Sequence, residues 1–172
     1  NMRHQICTKC CIDTTVSGVK FDQSGECNFC KMHNELDQEF PLNQQGQKKF
    51  KIIIQKIIKA GRGRKYDCVV GISGGRDGCY TLYLAKKLGL RPLAVHFNDG
   101  FGNPVAGENM TNVTKKLGVD LKTVTSDWRE SKDIRIAFLK ASTPDLGMPN
   151  DLGIATALYS SALQENIKYV LV

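Results

Sequence analysis

A parallel α/β sheet wound with helices on both faces, preceded by a small cysteine-clasped segment, is the fold class that this sequence predicts. Three observations predict it. From Tyr66 onward, short apolar runs alternate with amphipathic stretches in the order strand, helix, strand, helix. The apolar runs are nearly continuous, as expected of parallel strands buried on both faces. Ahead of them stand two Cys-x-x-Cys pairs, in a segment too short to build its own hydrophobic core.

Cys7-x-x-Cys10 and Cys27-x-x-Cys30 are separated by 16 residues, the spacing of a zinc ribbon. Each pair makes a tight knuckle with both thiolates turned to one point, and two knuckles complete a tetrahedron around Zn²⁺. Four sulfur ligands leave no open coordination position, so the metal is expected to be structural. Gly18-Val19-Lys20-Phe21-Asp22 with Gly25 reads as a short hairpin between the pairs. Cys11 and His33 are spare candidate ligands, and a redox dithiol pair is the rival reading. Residues 1–33 are assigned to this ribbon. Asn1, ahead of Met2, reads as the remnant of an expression tag.

Residues 34–47 are polar, contain Pro41 and Gly46, and read as a linker, with 34–65 forming linker plus basic helix. Residues 48–65 (KKFKIIIQKIIKAGRGRK) hold eight Lys or Arg and no acid. That run alone exceeds the net charge of +7, so the rest of the chain is close to neutral. Phe50, Ile53, Ile54, Ile57 and Ile58 follow the spacing of one helical face, and Gly61 and Gly63 end the helix. The helix is expected to pack by its isoleucines with a solvated lysine face; an anionic lipid surface, RNA or an acidic partner are the sharper readings.

The remaining residues, 66–172, are assigned to the sheet domain. Strand 67–72 leads into helix 78–89, strand 92–97, helix 105–118 and strand 121–125. A helix at about 130–140, a loop rich in Pro and Gly at 143–153, helix 153–166 and a final strand 168–172 follow. The pattern Gly-x-Gly-x-x-Gly is absent, which argues against a hydride-transfer enzyme. Neither a transmembrane span nor a signal peptide is recognisable, and the closely spaced cysteines suit a reducing, cytoplasmic setting.

The stretch Val69 to Cys79 (VVGISGGRDGC) carries the chemistry. A strand runs into Ser73-Gly74-Gly75-Arg76-Asp77-Gly78, and a helix follows. Adjacent glycines let backbone N–H groups approach a phosphate with no Cβ in the way, and the helix dipole favours an anion there. Ser73 adds a hydroxyl, and Asp77 is a carboxylate suited to Mg²⁺. These residues resemble the PP-loop ATP pyrophosphatase superfamily, whose pattern is Ser-Gly-Gly-x-Asp-Ser after the first strand; here Gly78 stands in place of the second serine. The resemblance implies a PP-loop, adenine nucleotide alpha hydrolase-like sheet. It implies an ATP site formed by Gly71, Ile72, Ser73, Gly74, Gly75, Arg76, Asp77 and Gly78, with His96, Phe97 and Asn98 beside the adenosine. Ser73 and Asp77 would be its catalytic residues.

The order of cysteine pairs, basic helix and Ser73–Gly78 loop, with Cys7-Thr8-Lys9-Cys10, Cys27-Asn28-Phe29-Cys30 and Met148-Pro149-Asn150-Asp151, resembles the N-acetyl sugar amidotransferases of bacterial surface-polysaccharide (lipopolysaccharide O-antigen) biosynthesis. The resemblance covers essentially the whole chain, as the N-terminal portion of such an enzyme. It implies a ligase that adenylates the acetamido oxygen of a nucleotide- or lipid-linked N-acetyl sugar, releases pyrophosphate and lets ammonia displace AMP. A glutaminase subunit would supply the ammonia, no specific nucleic acid is expected, and a homo-oligomer is compatible. Two alternatives are a tRNA thiolase and a non-catalytic zinc- and nucleotide-binding module. The resemblance to the thiolases would imply reactive cysteines beyond the third strand, and the corresponding loop, Ser142–Asp151, holds none. Cys68 reads as a buried hydrophobe, and Cys79 as packing at a helix start.

Overall fold

The computed structural model describes residues 4–172, so Asn1 and the tag reading lie outside it. The chain forms two compact units, residues 1–52 and 53–172. In the first, isolated antiparallel bridges join Ile6 to Asp13 and Phe21 to Cys27. The expected hairpin is reduced to the second bridge and a turn held by Asp22, whose Oδ1 accepts from the Ser24 and Glu26 N–H groups at 2.8 and 3.1 Å. Helix α1 (Asn28–Glu39) follows, and α2 (Gln44–Ala60) begins in this unit.

The expected linker at 34–47 is therefore largely helical. Its polarity hid a helix that starts on the second cysteine knuckle: Cys27 is the N-cap, its Sγ accepting from the Cys30 N–H at 3.4 Å. No residue of α1 is buried, so hydrophobic periodicity had nothing to report. Asn43 caps α2 through its side chain, accepting from the N–H groups of Gln45 and Gly46 at 2.9 and 3.3 Å.

The second unit contains β1 (Cys68–Gly71), α3 (Arg76–Lys87), β2 (Pro92–Asn98), α4 (Pro104–Leu117), β3 (Leu121–Thr125), α5 (Trp128–Lys140), α6 (Met148–Gln164) and β4 (Val170–Leu171). The four strands are parallel in the order β3-β2-β1-β4. After β3 the chain crosses back to lay β4 on the far side of β1, so the strand order reverses beside β1. In open α/β sheets ligands bind beyond the carboxyl ends of strands at such a reversal. Helix α6 starts at Met148, five residues before the expected 153, because Pro149 falls in its first turn, where proline is tolerated. The last strand is shorter than the expected 168–172.

Strand alternation sends Cys68, Val70, Ile72 and Ala94 into one core with Ile54, Ile57, Leu82 and Met110. Val69, Leu93 and Val95 enter the other with Ala157, Leu158 and Ala162 of α6. Both faces are covered, as the continuous apolar strands require. Of the α2 stripe, Ile54 and Ile57 are buried, whereas Phe50 and Ile53 are exposed. Ile54→Ala should accordingly lower stability by roughly 2–5 kcal/mol in denaturant titration. Lys56→Gln and Lys59→Gln, on exposed positions, should change it little. Below the sheet, buried Asp67 binds Arg91 by Oδ1–Nη2 at 2.7 Å and Oδ2–Nε at 3.1 Å, while Arg91 also donates to the carbonyls of Gly61 and Arg64. This pair fixes the turn after α2 to the amino ends of β1 and β2. Among the described residues, no helix is long and apolar enough to cross a membrane.

Candidate metal and nucleotide sites

The sulfurs of Cys7, Cys10, Cys27 and Cys30 all lie within 4.8 Å of one another. Cys7 and Cys30 are 3.9 Å apart, Cys10 and Cys27 3.7 Å. A tetrahedral ion with metal–sulfur distances of about 2.3 Å spaces its ligands at about 3.8 Å, so the cage fits a single such ion. Backbone N–H groups of Lys9 and Cys27 point at the Cys7 sulfur at 3.4 and 3.3 Å. Burial alone raises the Cys7 pKa, but these donors and that of Cys10 outweigh it and lower the thiol to about 6. Cys30 is pushed up, first by the neighbouring Cys10 thiol and then by burial. Four close thiols cannot all ionise unaided; a dication removes that conflict. Cys11 is exposed and His33 pairs with Asp37 at 3.2 Å, so neither spare candidate joins the four-sulfur group.

In the second unit, a cavity of about 1050 Å³ opens over the carboxyl ends of β1 and β2. Gly71, Ile72, Ser73 and Gly78 border it on one side, with His96, Phe97 and Asn98 along β2. The cap and first turn of α4, through Asn103, Ala106 and Gly107, and the first two turns of α6, through Asn150 and Ile154, complete it. Helix N-termini therefore gather where the strands end, and an anion is favoured there. Asn103 caps α4: its side-chain oxygen accepts from the Val105 N–H at 2.9 Å, and its carbonyl accepts from the Ala106 and Gly107 N–H groups at 3.0 and 3.3 Å.

The loop glycines divide into two groups. Gly74 has φ +78°, and a Cβ there would lie 2.1 Å from the Ala106 carbonyl oxygen; Asn109 Nδ2 donates to the Gly74 carbonyl at 3.2 Å. The loop is thus pressed against the start of α4 as only glycine allows. Gly74, Gly75 and Arg76 border a separate depression of about 510 Å³ with Cys79, Asn109 and Lys116. Asp77 is exposed, pairs with Arg76 at 3.0 Å, and borders neither space. At Gly78 a Cβ would lie 3.2 Å from the Gly71 carbonyl oxygen, so α3 rests closely on β1 where the superfamily pattern has serine.

Several lining residues carry little signal in the sequence. Asp99 binds Arg135 of α5 and accepts from the Phe101 N–H at 3.0 Å. Arg135 also lies over the Phe101 ring, 4.2 Å from its centre, and Phe101 packs on Trp128 at 4.8 Å. These contacts fasten the loop after β2 to α5. Asn98-Asp99-Gly100 reads as a plain turn, and a long-range partner on a polar helix leaves no periodic trace. A Cβ on Gly153 would lie 2.3 Å from Phe97 Cε1, so this glycine lets α6 close on the end of β2. Cys68 is pushed up to about 12 by burial, and burial raises Cys79 too, so neither is an activated thiol.

No family model matches the sequence. An uncharacterized protein of Methanocaldococcus jannaschii is 35% identical over 104 residues, 60% of this chain and 32% of that protein. The chain therefore spans about a third of the length of this curated relative. Among solved structures, the NH3-dependent NAD synthetase of Campylobacter jejuni superposes with TM-score 0.52 at 22% identity, over 71% of this chain and 52% of its own. The U34-tRNA thiolase of Methanococcus maripaludis, solved with its [4Fe-4S] cluster, gives TM-score 0.51 at 17% identity, over 96% of this chain and 52% of its own. The fold is of the PP-loop type. At these identities the likeness is one of architecture.

Proposed function

We propose that this chain is the nucleotide-binding part of an ATP-dependent amidotransferase, which adenylates the acetamido oxygen of an N-acetyl sugar and lets ammonia displace AMP. The observation that carries the reading is the large cavity at the strand-order reversal, bordered by Ser73 and Gly78 and by the first turns of α4 and α6. An amide oxygen leaves poorly, and transfer of AMP turns it into a good leaving group. The protein's part is then to align the two substrates and to stabilise departing pyrophosphate. Ser73, Gly74 and Gly75 supply donors for the phosphates, while His96, Phe97 and Asn98 lie beside the nucleoside. Asp77, paired with its neighbour Arg76 just outside the cavity lining, is the carboxylate that would hold Mg²⁺, an ion that binds through few carboxylates and many phosphate oxygens. When bound, that ion neutralises phosphate charge. A tetrathiolate Zn²⁺ would be structural, and a glutaminase subunit would supply the ammonia.

The test is pyrophosphate release from MgATP by the full-length protein, with ammonia and a panel of nucleotide-linked N-acetyl sugars. Asp77→Asn removes one charge at constant volume and is expected to preserve the circular dichroism spectrum while lowering release by roughly a hundredfold. Turnover close to that of the unsubstituted protein would exclude the metal role.

A tRNA-modifying enzyme is the second reading, favoured by the eight cations of residues 48–65. It predicts RNA affinity that falls with salt, with a log–log slope of about −3 to −4 for four duplex-phosphate contacts. Lys49→Gln, Lys56→Gln and Lys59→Gln together would flatten that slope. The amidotransferase reading expects only weak binding with no sequence preference. No cysteine lines the cavity among the described residues, which supports the amidotransferase over sulfur transfer.

A further inference from the structure

We propose that His96 is the proton acceptor of the reaction carried out in this cavity, with Nε2 as its basic atom; this rests on the amidotransferase reading. His96 Nδ1 lies 3.1 Å from the carbonyl oxygen of Ile72. A carbonyl only accepts, so Nδ1 carries the hydrogen, and the neutral ring holds its lone pair on Nε2. Nε2 has no partner among the described residues, and it is not among the sealed, unpaired polar atoms, so it is open to the space that His96 lines. The Ile72 carbonyl thus acts on this ring as an orienting group acts on a general base.

The surroundings leave no competitor. Among the side chains lining the cavity, only those of His96, Asp99 and Arg135 titrate. Asp99 and Arg135 are bound to each other, and the second Asp99 oxygen accepts from the Phe101 backbone. The elements packed around His96 present neutral groups: Ile72 and Ser73 after β1, Thr123 opposite it on β3, and Gly107, Met110 and Thr111 of α4. The adjacent charges Asp77 and Arg76 pair with each other outside the cavity lining.

The chemistry needs one such base. As ammonia adds to the adenylated acetamido carbon, a C–N bond forms and the C–O bond to AMP breaks, its electron pair leaving with AMP. The attacking nitrogen must shed one proton for the product to be an amidinium. That proton passes to His96 Nε2, giving an imidazolium that later returns it to solvent. Ammonia is nucleophilic enough to attack unaided; what it lacks is a place for this proton.

His96→Asn and His96→Gln separate the two ring nitrogens. Asparagine retains a donor near the Nδ1 position and can keep the tie to Ile72, while it loses Nε2. Glutamine reaches the Nε2 position and loses the tie. In the full-length protein, with MgATP, ammonium chloride and the sugar panel, His96→Asn should lower kcat for amidine formation by about a hundredfold or more. Hydroxylamine in place of ammonia should recover much of the rate, because its adduct is more acidic and needs less help from a base. In the unsubstituted protein kcat should show an acid limb, since the base must be unprotonated, and that limb should vanish in His96→Asn. ¹⁵N spectra of the histidine-labelled protein should show the Nδ1–H tautomer for this residue. An Nε2–H tautomer overturns the proposal, as does an unchanged kcat and pH profile in His96→Asn while the unsubstituted protein releases pyrophosphate. No pyrophosphate release by the unsubstituted protein with any of the sugars overturns both the amidotransferase reading and this one.

Discussion

Removing the metal from the four-cysteine cage is expected to unfold the first unit and leave the second folded. Among the described residues up to Ile52, the buried apolar side chains are Cys7 and Cys27 alone, while Ile6, Met32, Leu36, Phe40 and Leu42 are exposed. The cage is therefore this unit's core. Structural zinc in such sites contributes roughly 10–16 kcal/mol of apparent binding energy at neutral pH, all of it folding energy where no apolar core substitutes. The second unit holds two apolar clusters of its own and should keep its cooperative transition. Protein purified under reducing conditions should contain one equivalent of zinc per chain and no visible iron–sulfur absorption. A strong chelator should abolish amide protection in residues 4–40, including α1, whose cap is the Cys27 sulfur. Protection across β1 and β2 should persist. Full zinc content in Cys7→Ser, or an unaltered first unit after chelation, would refute the assignment.

What could be read from the sequence follows from where burial lies. Strands β1 and β2 are buried and continuously apolar, so the alternation of strand and helix was plain, and the buried Ile54 and Ile57 marked the inner face of α2. Cysteine spacing carried the metal cage because the ligands are local pairs. Helix α1 escaped because sulfur capping starts it and nothing in it is buried. The start of α6 escaped because Pro149 looks like a loop residue until its place in the first turn is known. The cavity over the strand ends was half legible: Ser73 and Gly78 meet the His96-Phe97-Asn98 corner there, as their positions after β1 and on β2 imply, whereas Gly74, Gly75 and Arg76 border the separate depression. The lock between Asp99 and Arg135 depends on a fold-level juxtaposition with no local pattern, and so does the contact of Gly153 with Phe97.

Gly74 and Gly75 look equivalent in the sequence, yet alanine at the first should be far more damaging than at the second. Gly74 occupies the left-handed region, which costs an L-residue about 1–2 kcal/mol. Its Cβ would also strike the Ala106 carbonyl at 2.1 Å, a backbone atom in the first turn of α4 that cannot swing aside as a side chain would. The total expected loss in Gly74→Ala is on the order of 3 kcal/mol. The least costly relief is to lift the loop from α4, which disturbs the donors that would receive phosphate. ATP affinity should then fall by roughly tenfold or more, since 1.4 kcal/mol of displaced binding energy already amounts to a factor of ten. Gly75 is the N-cap of α3 at φ −75°, and an added Cβ meets only Ser73 Oγ, at 3.5 Å. Gly75→Ala should therefore cost about 1 kcal/mol or less, the difference between glycine and alanine at a helix cap. Denaturant titration of both variants, with calorimetric binding of MgATP, separates the effects. Equal losses in the two would mean that the loop does not press on α4, and Gly74→Ala with full stability and full ATP affinity would remove the loop from the phosphate site.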